Sequence, residues 1–139
     1  MNAIHATPVQ IRFNDIDIAG HVNNAVYFEY YDVARVAYFN TVLANLVQWK
    51  KEGFVLAHME MDYMTPAFLD DELTIYTKIT KVGEKSITMF QEIRKTNNEN
   101  ELVSSCQSVL VSFDYQNHLS ILLPSTWRQA IVDYEHLDG

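Results

Sequence analysis

The chain has 139 residues, of which 48% are hydrophobic and 20% charged, and its net charge is −8. This length predicts one domain, which we place over residues 1–139, and the composition is that of a folded rather than a disordered protein. The excess of acidic residues argues against a nucleic-acid partner, because a surface that binds phosphates needs clustered lysines and arginines.

The N-terminal sequence, the apolar runs and the cysteine content together indicate the cellular compartment of the protein. Cys106 is the single cysteine, so no disulfide can form within the chain. The N-terminus lacks a basic start followed by an apolar stretch, so we predict no signal peptide. No apolar run approaches the ~18 residues of a membrane-spanning helix. We therefore expect a cytoplasmic protein without membrane insertion.

The first third of the chain predicts a strand and a long helix. Residues 7–13 alternate in polarity as a strand does, and a polar stretch follows at 14–24. Residues 25–47 contain neither Gly nor Pro and predict a helix. Its polar residues form one narrow stripe: Glu29, Asp32, Arg35 and Asn40. A helix that is apolar over most of its surface is expected to be buried.

The remainder of the chain predicts four strands and a second helix. The strands are expected at 54–64, 72–83, 84–95 and 101–115, and the helix at 124–137. Short connections favour antiparallel pairing. On the last strand, one face is predicted to hold Val103, Val109, Val111 and Phe113. These elements predict an α+β fold, a curved five-stranded antiparallel sheet around the long helix.

The polar stretch NDIDIAGHVNN, residues 14–24, joins the first strand to this helix. A helix start carries free N–H donors and partial positive charge, and either Asn23 or Asn24 is suited to cap it. Gly20 would permit a close approach of the backbone. In an extended segment, only one of Asp15 and Asp17 can face the helix end. A carboxylate beside oxyanion donors provides the groups that acyl transfer needs.

At this point the sequence resembles a known family. DIDIAGHVNNAVYFEYYDVAR, residues 15–35, is similar to the signature of the hotdog-fold acyl-CoA thioesterases, in the 4-hydroxybenzoyl-CoA thioesterase-like branch. The resemblance continues through MDYMTPAFLDDELTIYTKI, GEKSITMFQEI and VSFDYQNHLSILLP. It implies the hotdog fold and hydrolysis of an acyl-CoA thioester without cofactor or metal. It also implies a homodimer or homotetramer with sites between subunits.

The resemblance assigns roles to individual residues. Asp17 takes the place of the catalytic carboxylate, and Asn24 that of the residue whose backbone N–H polarises the thioester carbonyl. Lys85 and Ser86 fall where the family contacts the CoA arm. Because the HVNN segment also occurs in thioesterases acting on acyl carrier protein, the carrier stays open. A non-catalytic module that binds acyl-CoA or acyl carrier protein is the competing hypothesis.

Other residues of these motifs allow two interpretations. His21 either orients the substrate or is a packed, hydrogen-bonded histidine, and Asn23 is a cap with a substrate contact. Tyr27 packs the helix or floors a ligand cavity. His58 is a core or interface residue, or lines the acyl pocket. Asp15 is expected to be structural.

Two clusters of side chains also allow a functional interpretation. Asp15, Asp17 and His21 have side chains suited to a metal ion, although the resemblance implies none. The densest basic group is either a solvated face or a clamp for CoA phosphates: Lys78, Lys81, Lys85, Arg94 and Lys95. Cys106 is expected to be a small buried hydrophobe.

Overall fold

The structure, a computed structural model, describes residues 4–138. The strands are β1 His5–Val9, β2 Glu52–Tyr63, β3 Leu73–Val82, β4 Ser86–Lys95, β5 Glu101–Asp114 and β6 Leu119–Ser120. The helices are α1 Val26–Val42 and α2 Ser125–Glu135, and two 3-10 turns lie at Phe13–Asp15 and Ala44–Leu46. Within residues 4–138, neither helix is long and apolar enough to cross a membrane.

The strands form one antiparallel sheet in the order β1-β3-β4-β5-β2, with the short β6 added against the end of β5. Register shifts interrupt three of the four main strand pairs, and such bulges bend strands. The curved sheet holds α1 on its inner side. The predicted hotdog arrangement is confirmed, and the twelve-residue β2 lies at one edge of the sheet.

The inner faces of β3 and β4 follow the alternation of apolar residues in their sequences. The core residues they supply are Leu73, Ile75, Ile79, Ile87, Met89 and Ile93, all nearly inaccessible to solvent. The helix packs on this surface through one face, where Tyr31, Ala34 and Tyr38 are completely buried. Period-two alternation therefore locates the core correctly in these two strands.

The prediction for β5 was largely wrong. Its inward residues are Ser104, Cys106, Ser108, Leu110 and Ser112, all of which are buried. Val103 is also buried, but the other residues of the predicted face are only partly so. The physical reason is space, because α1 presents bulky tyrosines to this strand. Tyr31, for example, donates a hydrogen bond of 2.8 Å from its hydroxyl to Ser104 Oγ.

The long helix is shorter and less enclosed than predicted. It ends at Val42, and Ala44 just beyond it adopts a left-handed φ of 44° that cannot continue a helix. The sheet covers one side only, so Phe28, Val33 and Val36 are exposed on the other. Arg35, which belongs to the polar stripe of the helix, is buried.

The first strand ends earlier than predicted, at Val9 rather than Phe13. The Asp15 carboxylate accepts a 2.9 Å hydrogen bond from the Arg12 backbone N–H, which stabilises a turn there. Phe13 is consequently exposed. This early turn brings the polar stretch to the start of α1.

Candidate active site

Asp17 opens a tight loop that ends at His21. Its Oδ1 accepts hydrogen bonds from the backbone N–H groups of Ala19 at 2.9 Å and His21 at 3.3 Å. The backbone N–H of Asp17 donates to the His21 carbonyl at 2.8 Å. Gly20 has a φ of +84°, and an added Cβ would meet nothing within 4 Å. Glycine is therefore required here by the backbone turn, and the predicted close approach is absent within the described chain.

Asp15 has a different environment from Asp17. It is buried, and its Oδ2 accepts hydrogen bonds from the Arg12 N–H at 2.9 Å and the Tyr30 hydroxyl at 2.7 Å. Burial alone would raise the pKa of the Asp15 carboxyl, but these bonds and the Arg12 guanidinium lower that pKa overall. Asp15 therefore fixes the loop to α1, which is the structural role predicted for it.

Asp17 is half-buried and faces a cavity at the start of α1. Within residues 4–138, its Oδ2 accepts no hydrogen bond, whereas Oδ1 is held by the loop. The cavity has a volume of about 360 Å³. Its lining residues are Asp17, His21, Val22, Asn24, Tyr27, Tyr63, Met64, Thr65 and Pro66. The structure thus brings together four of the predicted site residues, Asp17, His21, Asn24 and Tyr27.

The backbone of Asn24 supplies the second feature of this cavity. Its N–H donates to no acceptor within the described residues, and its carbonyl accepts a 3.0 Å hydrogen bond from the Tyr63 hydroxyl. Ala25 directly precedes α1, but it has helical φ and ψ and makes no capping hydrogen bond. The predicted cap is provided by Asn23, whose Oδ1 accepts the Ala25 N–H at 3.0 Å. Its side chain is exposed, and it is not among the cavity residues.

His21 is packed, but the predicted side-chain hydrogen bond is absent within the described part of the chain. Its ring lies edge-on to Phe68, with the ring centres 5.1 Å apart. The ring nitrogens bond to no residue among 4–138. Behind Phe68, the Lys95 ammonium lies 5.3 Å from the ring centre and 3.2 Å from an Asp71 carboxylate oxygen. This packing fixes the ring face of His21 and leaves its nitrogens unpaired.

Tyr27 forms the floor of the cavity and also packs the core, so both interpretations hold. It is only 2% exposed, and its ring centre lies 5.0 Å from that of Tyr63. Burial raises the pKa of the Tyr27 hydroxyl, an effect that the nearby Ala67 backbone partly offsets. The phenol is therefore neutral at physiological pH.

Three predicted residues lie away from this cavity. His58 is exposed on β2, with Nε2 3.9 Å from a Glu60 oxygen, so its assignment to the core was wrong, and it does not line this cavity. Its place at an interface or in an acyl pocket shared between subunits stays a prediction. Lys85 and Ser86 follow the far end of β3, whose ten residues span roughly 33 Å. The Lys85 carbonyl accepts from the Ser112 N–H at 2.8 Å, which fixes that turn. Within one chain, the turn is remote from Asp17.

The predicted basic group does not form a single cluster. Lys78, Lys81 and Lys85 are exposed, but Lys95 is buried and paired with Asp71. Arg94 is bonded to Glu92 and to the Asn100 carbonyl. The prediction failed because Arg94 and Lys95 lie at the opposite end of β4 from the Lys85 turn.

The structure also bears on the metal hypothesis and on Cys106. Among residues 4–138, no three His, Cys, Asp or Glu side chains converge to hold a metal ion. Asp15 in particular is enclosed by its bonds to Arg12 and Tyr30. Cys106 is buried as predicted, and burial raises the pKa of its thiol to about 11.

Sequence reasoning missed one wall of the cavity, formed by Tyr63, Met64, Thr65 and Pro66 at the end of β2. These residues follow the long edge strand, and the backbone of Ala67 then accepts the Val22 N–H at 2.8 Å. The available signal was the MDYMTPAF segment, which carries part of the family resemblance but had been assigned no role in the site. The contact with Val22 depends on tertiary structure and leaves no local pattern.

Comparison with known proteins places this geometry in context. Residues 11–131 match the thioesterase-like superfamily. Acyl-CoA thioester hydrolase YbgC of Escherichia coli O6:H1 is 31% identical over 109 residues, which cover 77% of this chain and 80% of YbgC. The uncharacterised Bacillus subtilis protein YsmA is 34% identical over 82 residues, 58% of this chain and about half, 54%, of YsmA. A structure of a thioesterase from Thermus thermophilus, complexed with coenzyme A and Zn, has a TM-score of 0.83 and 30% identity over 96% of both chains.

Proposed function

The chain belongs to the thioesterase-like superfamily, and we propose that it hydrolyses acyl-CoA thioesters to a free acid and a thiol. One observation carries this proposal. Asp17 and the backbone N–H of Asn24 line the same cavity, and within residues 4–138 neither Asp17 Oδ2 nor that N–H has a partner. A thioester needs a basic or nucleophilic oxygen on one side and a hydrogen-bond donor for its carbonyl oxygen on the other.

In the proposed reaction, the thioester carbonyl oxygen accepts the Asn24 N–H at the positive end of α1. By the general-base route, Asp17 removes a proton from water as the water oxygen adds to the carbonyl carbon. The carbon–sulfur bond then breaks, the sulfur leaves as a thiolate, and the thiolate takes up the proton held by Asp17, which restores the carboxylate. By the nucleophilic route, Asp17 Oδ2 attacks the carbon, the thiolate leaves, and water hydrolyses the resulting anhydride.

The surrounding residues would hold these two groups in place. The loop bonds to Asp17 Oδ1 leave Oδ2 as the reactive oxygen. The hydroxyl of Tyr63 bonds the Asn24 carbonyl and so holds Asn24, whose own N–H belongs to the preceding peptide, against the end of β2. His21, with its ring packed on Phe68, is placed to contact the substrate through its free nitrogens. Such positioning is a substantial part of catalysis.

We further propose that the working form is at least a homodimer. β2 is an edge strand of twelve residues, and unpaired edge strands favour pairing with a second chain. Beside it, α1 exposes Phe28, Val33 and Val36. A second copy would also be required to bring Lys85 near the Asp17 cavity, if Lys85 contacts CoA. A monomer in sedimentation at assay concentrations, with full activity, would contradict this proposal.

The function is tested with a panel of acyl-CoAs that differ in chain length and in aryl or alkyl character, with released thiol detected. Thiol release that depends on the acyl group supports the enzyme, whereas saturable binding without release indicates a binding module. Acyl carrier protein loaded with the preferred acyl group then identifies the carrier. Heat-treated protein and the Asp17→Asn variant are the controls for background hydrolysis.

A further inference from the structure

A second cavity lies between α1 and β2, separate from the one that contains Asp17. Its volume is about 380 Å³, within the range of roughly 300–1,000 Å³ typical of small-molecule sites. Its walls are mainly aromatic and aliphatic: Phe39, Trp49, Phe54, Leu56 and Leu110. The two cavities share no lining residue. The hydrophobic walls would suit an apolar ligand.

Three polar residues also line the cavity, Asp32, Arg35 and Asn40, and Arg35 is the cation among them. The residue is only 7% exposed, and its Nη1 donates a hydrogen bond to the carboxylate of Asp32, which is itself largely exposed. Nε and Nη2 are buried and have no partner among the described residues. A buried charge that lacks part of its hydrogen bonding is costly, and most such groups in proteins are paired. The unpaired donors therefore indicate an absent acceptor.

The geometry of the guanidinium defines that acceptor. Nε–H and Nη2–H lie side by side on one edge of the planar group, and this edge matches the two oxygens of a carboxylate. Asp32 occupies a different nitrogen and leaves that edge free. A single carboxylate would therefore satisfy both donors at once, while its hydrocarbon part would contact the apolar walls.

We propose that this cavity binds an aliphatic or aryl carboxylate, with the carboxylate on the Nε/Nη2 edge of Arg35. The inference rests on the proposed function, because that reaction offers two sources of such a group. One is the free acid that hydrolysis releases, and the other is a distal carboxylate on a dicarboxylic acyl substrate. Buried polar groups can also be satisfied by enclosed water, so a water molecule is the competing occupant.

Calorimetry with octanoate and octan-1-ol separates these occupants, because the two probes share the chain and differ in the charged end. We expect octanoate to bind the unmutated protein at least about tenfold more tightly, as expected for hydrogen bonds to a charged group. Arg35→Met should abolish this difference, and Arg35→Lys should reduce it because the paired donors are lost. Asp32→Asn removes the negative charge that lines the same cavity, so it should strengthen octanoate binding while the preference for the acid is retained.

Equal affinity for the acid and the alcohol in the unmutated protein would overturn the proposal and favour enclosed water. The proposal would also be overturned if neither probe bound, or if the preference for the acid survived in Arg35→Met. The comparison of probes on the unmutated protein does not depend on whether a variant folds.

Kinetics then assign the source of the carboxylate. Preference for octanedioyl-CoA over octanoyl-CoA, lost in Arg35→Met, identifies a dicarboxylic acyl substrate. Inhibition of octanoyl-CoA hydrolysis by octanoate, relieved in Arg35→Met, identifies the product. A chain that hydrolyses no acyl-CoA but binds octanoate through Arg35 would refute the proposed function and leave the carboxylate site intact. Hydrolysis of acyl-CoA without octanoate binding through Arg35 would support the proposed function and refute the carboxylate site.

Discussion

Replacing Asp17 by Asn tests the proposed chemistry with little disturbance of the loop. The two backbone N–H groups of Ala19 and His21 would select the amide oxygen of the new residue, because only oxygen can accept their hydrogen bonds. The amide nitrogen would then occupy the position of Oδ2, on the cavity side. The substitution therefore removes charge and basicity at the reactive position and retains the local fold.

The expected loss follows from the role of that oxygen. Assistance by a general base typically contributes about 10²–10⁴-fold, so turnover should fall by at least about a hundredfold. This corresponds to a barrier higher by about 2.7 kcal/mol. Substrate affinity should be largely retained, because the Asn24 N–H and the cavity walls are unchanged. The measurement is kcat and KM from thiol release, with binding to the variant measured separately.

Asp15→Asn is the matched control, an acid two residues away in a different environment. Its buried carboxylate accepts from the Arg12 N–H and the Tyr30 hydroxyl through Oδ2 and from the Arg12 guanidinium through Oδ1. The Asn side chain keeps one acceptor oxygen, so its amide nitrogen would face at least one of these donors. We expect a loss of roughly 1–3 kcal/mol in the free energy of unfolding, with a smaller loss of turnover than in Asp17→Asn. If Asp17→Asn turns over within tenfold of the unmutated protein while a folded Asp15→Asn is inactive, the catalytic acid has been misassigned.

Three further predictions concern individual contacts. The folded-state pKa of Asp15 is lowered, so its contribution to stability is present above the ordinary value of 3.8 and is lost as pH falls below it. When the free energy of unfolding is measured against pH, its decrease in acid should be shallower for Asp15→Asn than for the unmutated protein. Tyr63→Phe removes the hydrogen bond to the Asn24 carbonyl, and kcat/KM should fall by roughly threefold to tenfold, with unchanged kinetics contradicting a positioning role. Cys106 is buried with its thiol pKa raised to about 11, so iodoacetamide at pH 8 should label it only after denaturation; rapid labelling of native protein would show that the core opens.

Much of the sheet could be predicted from sequence because β3 and β4 alternate strictly. In β5, the outward Val109 and Val111 are more hydrophobic than the inward Ser104 and Ser108, so alternation assigned the wrong face. The inward Ser104 accepts the Tyr31 hydroxyl from α1, and the inward Ser112 bonds to the Lys85 and Ile121 carbonyls. Such contacts depend on the tertiary structure and are not visible in the strand itself.

The candidate site was predicted only in part, because some of its residues are neighbours in sequence and others meet only in the tertiary structure. Asp17 and Asn24 lie in one short motif, so their proximity could be inferred from local sequence and from the family resemblance. Tyr63 reaches Asn24 only through tertiary folding, and Lys95 is buried beside Asp71 across a turn of the sheet. Arg35 had the appearance of a solvent-facing residue because its spacing matched Asp32 on the same helix. Its burial depends on how closely the helix approaches β2 and β5.

The sheet order has a consequence for the order of folding. β3, β4 and β5 are neighbours in both sequence and space, so they can pair through short turns. β2 precedes all three, yet pairs only with β5, and its end supplies one wall of the Asp17 cavity. Loop-closure entropy makes such distant pairings slow. We therefore expect the three-stranded meander to form early, and the cavity to be completed in a late step, when β2 joins the sheet.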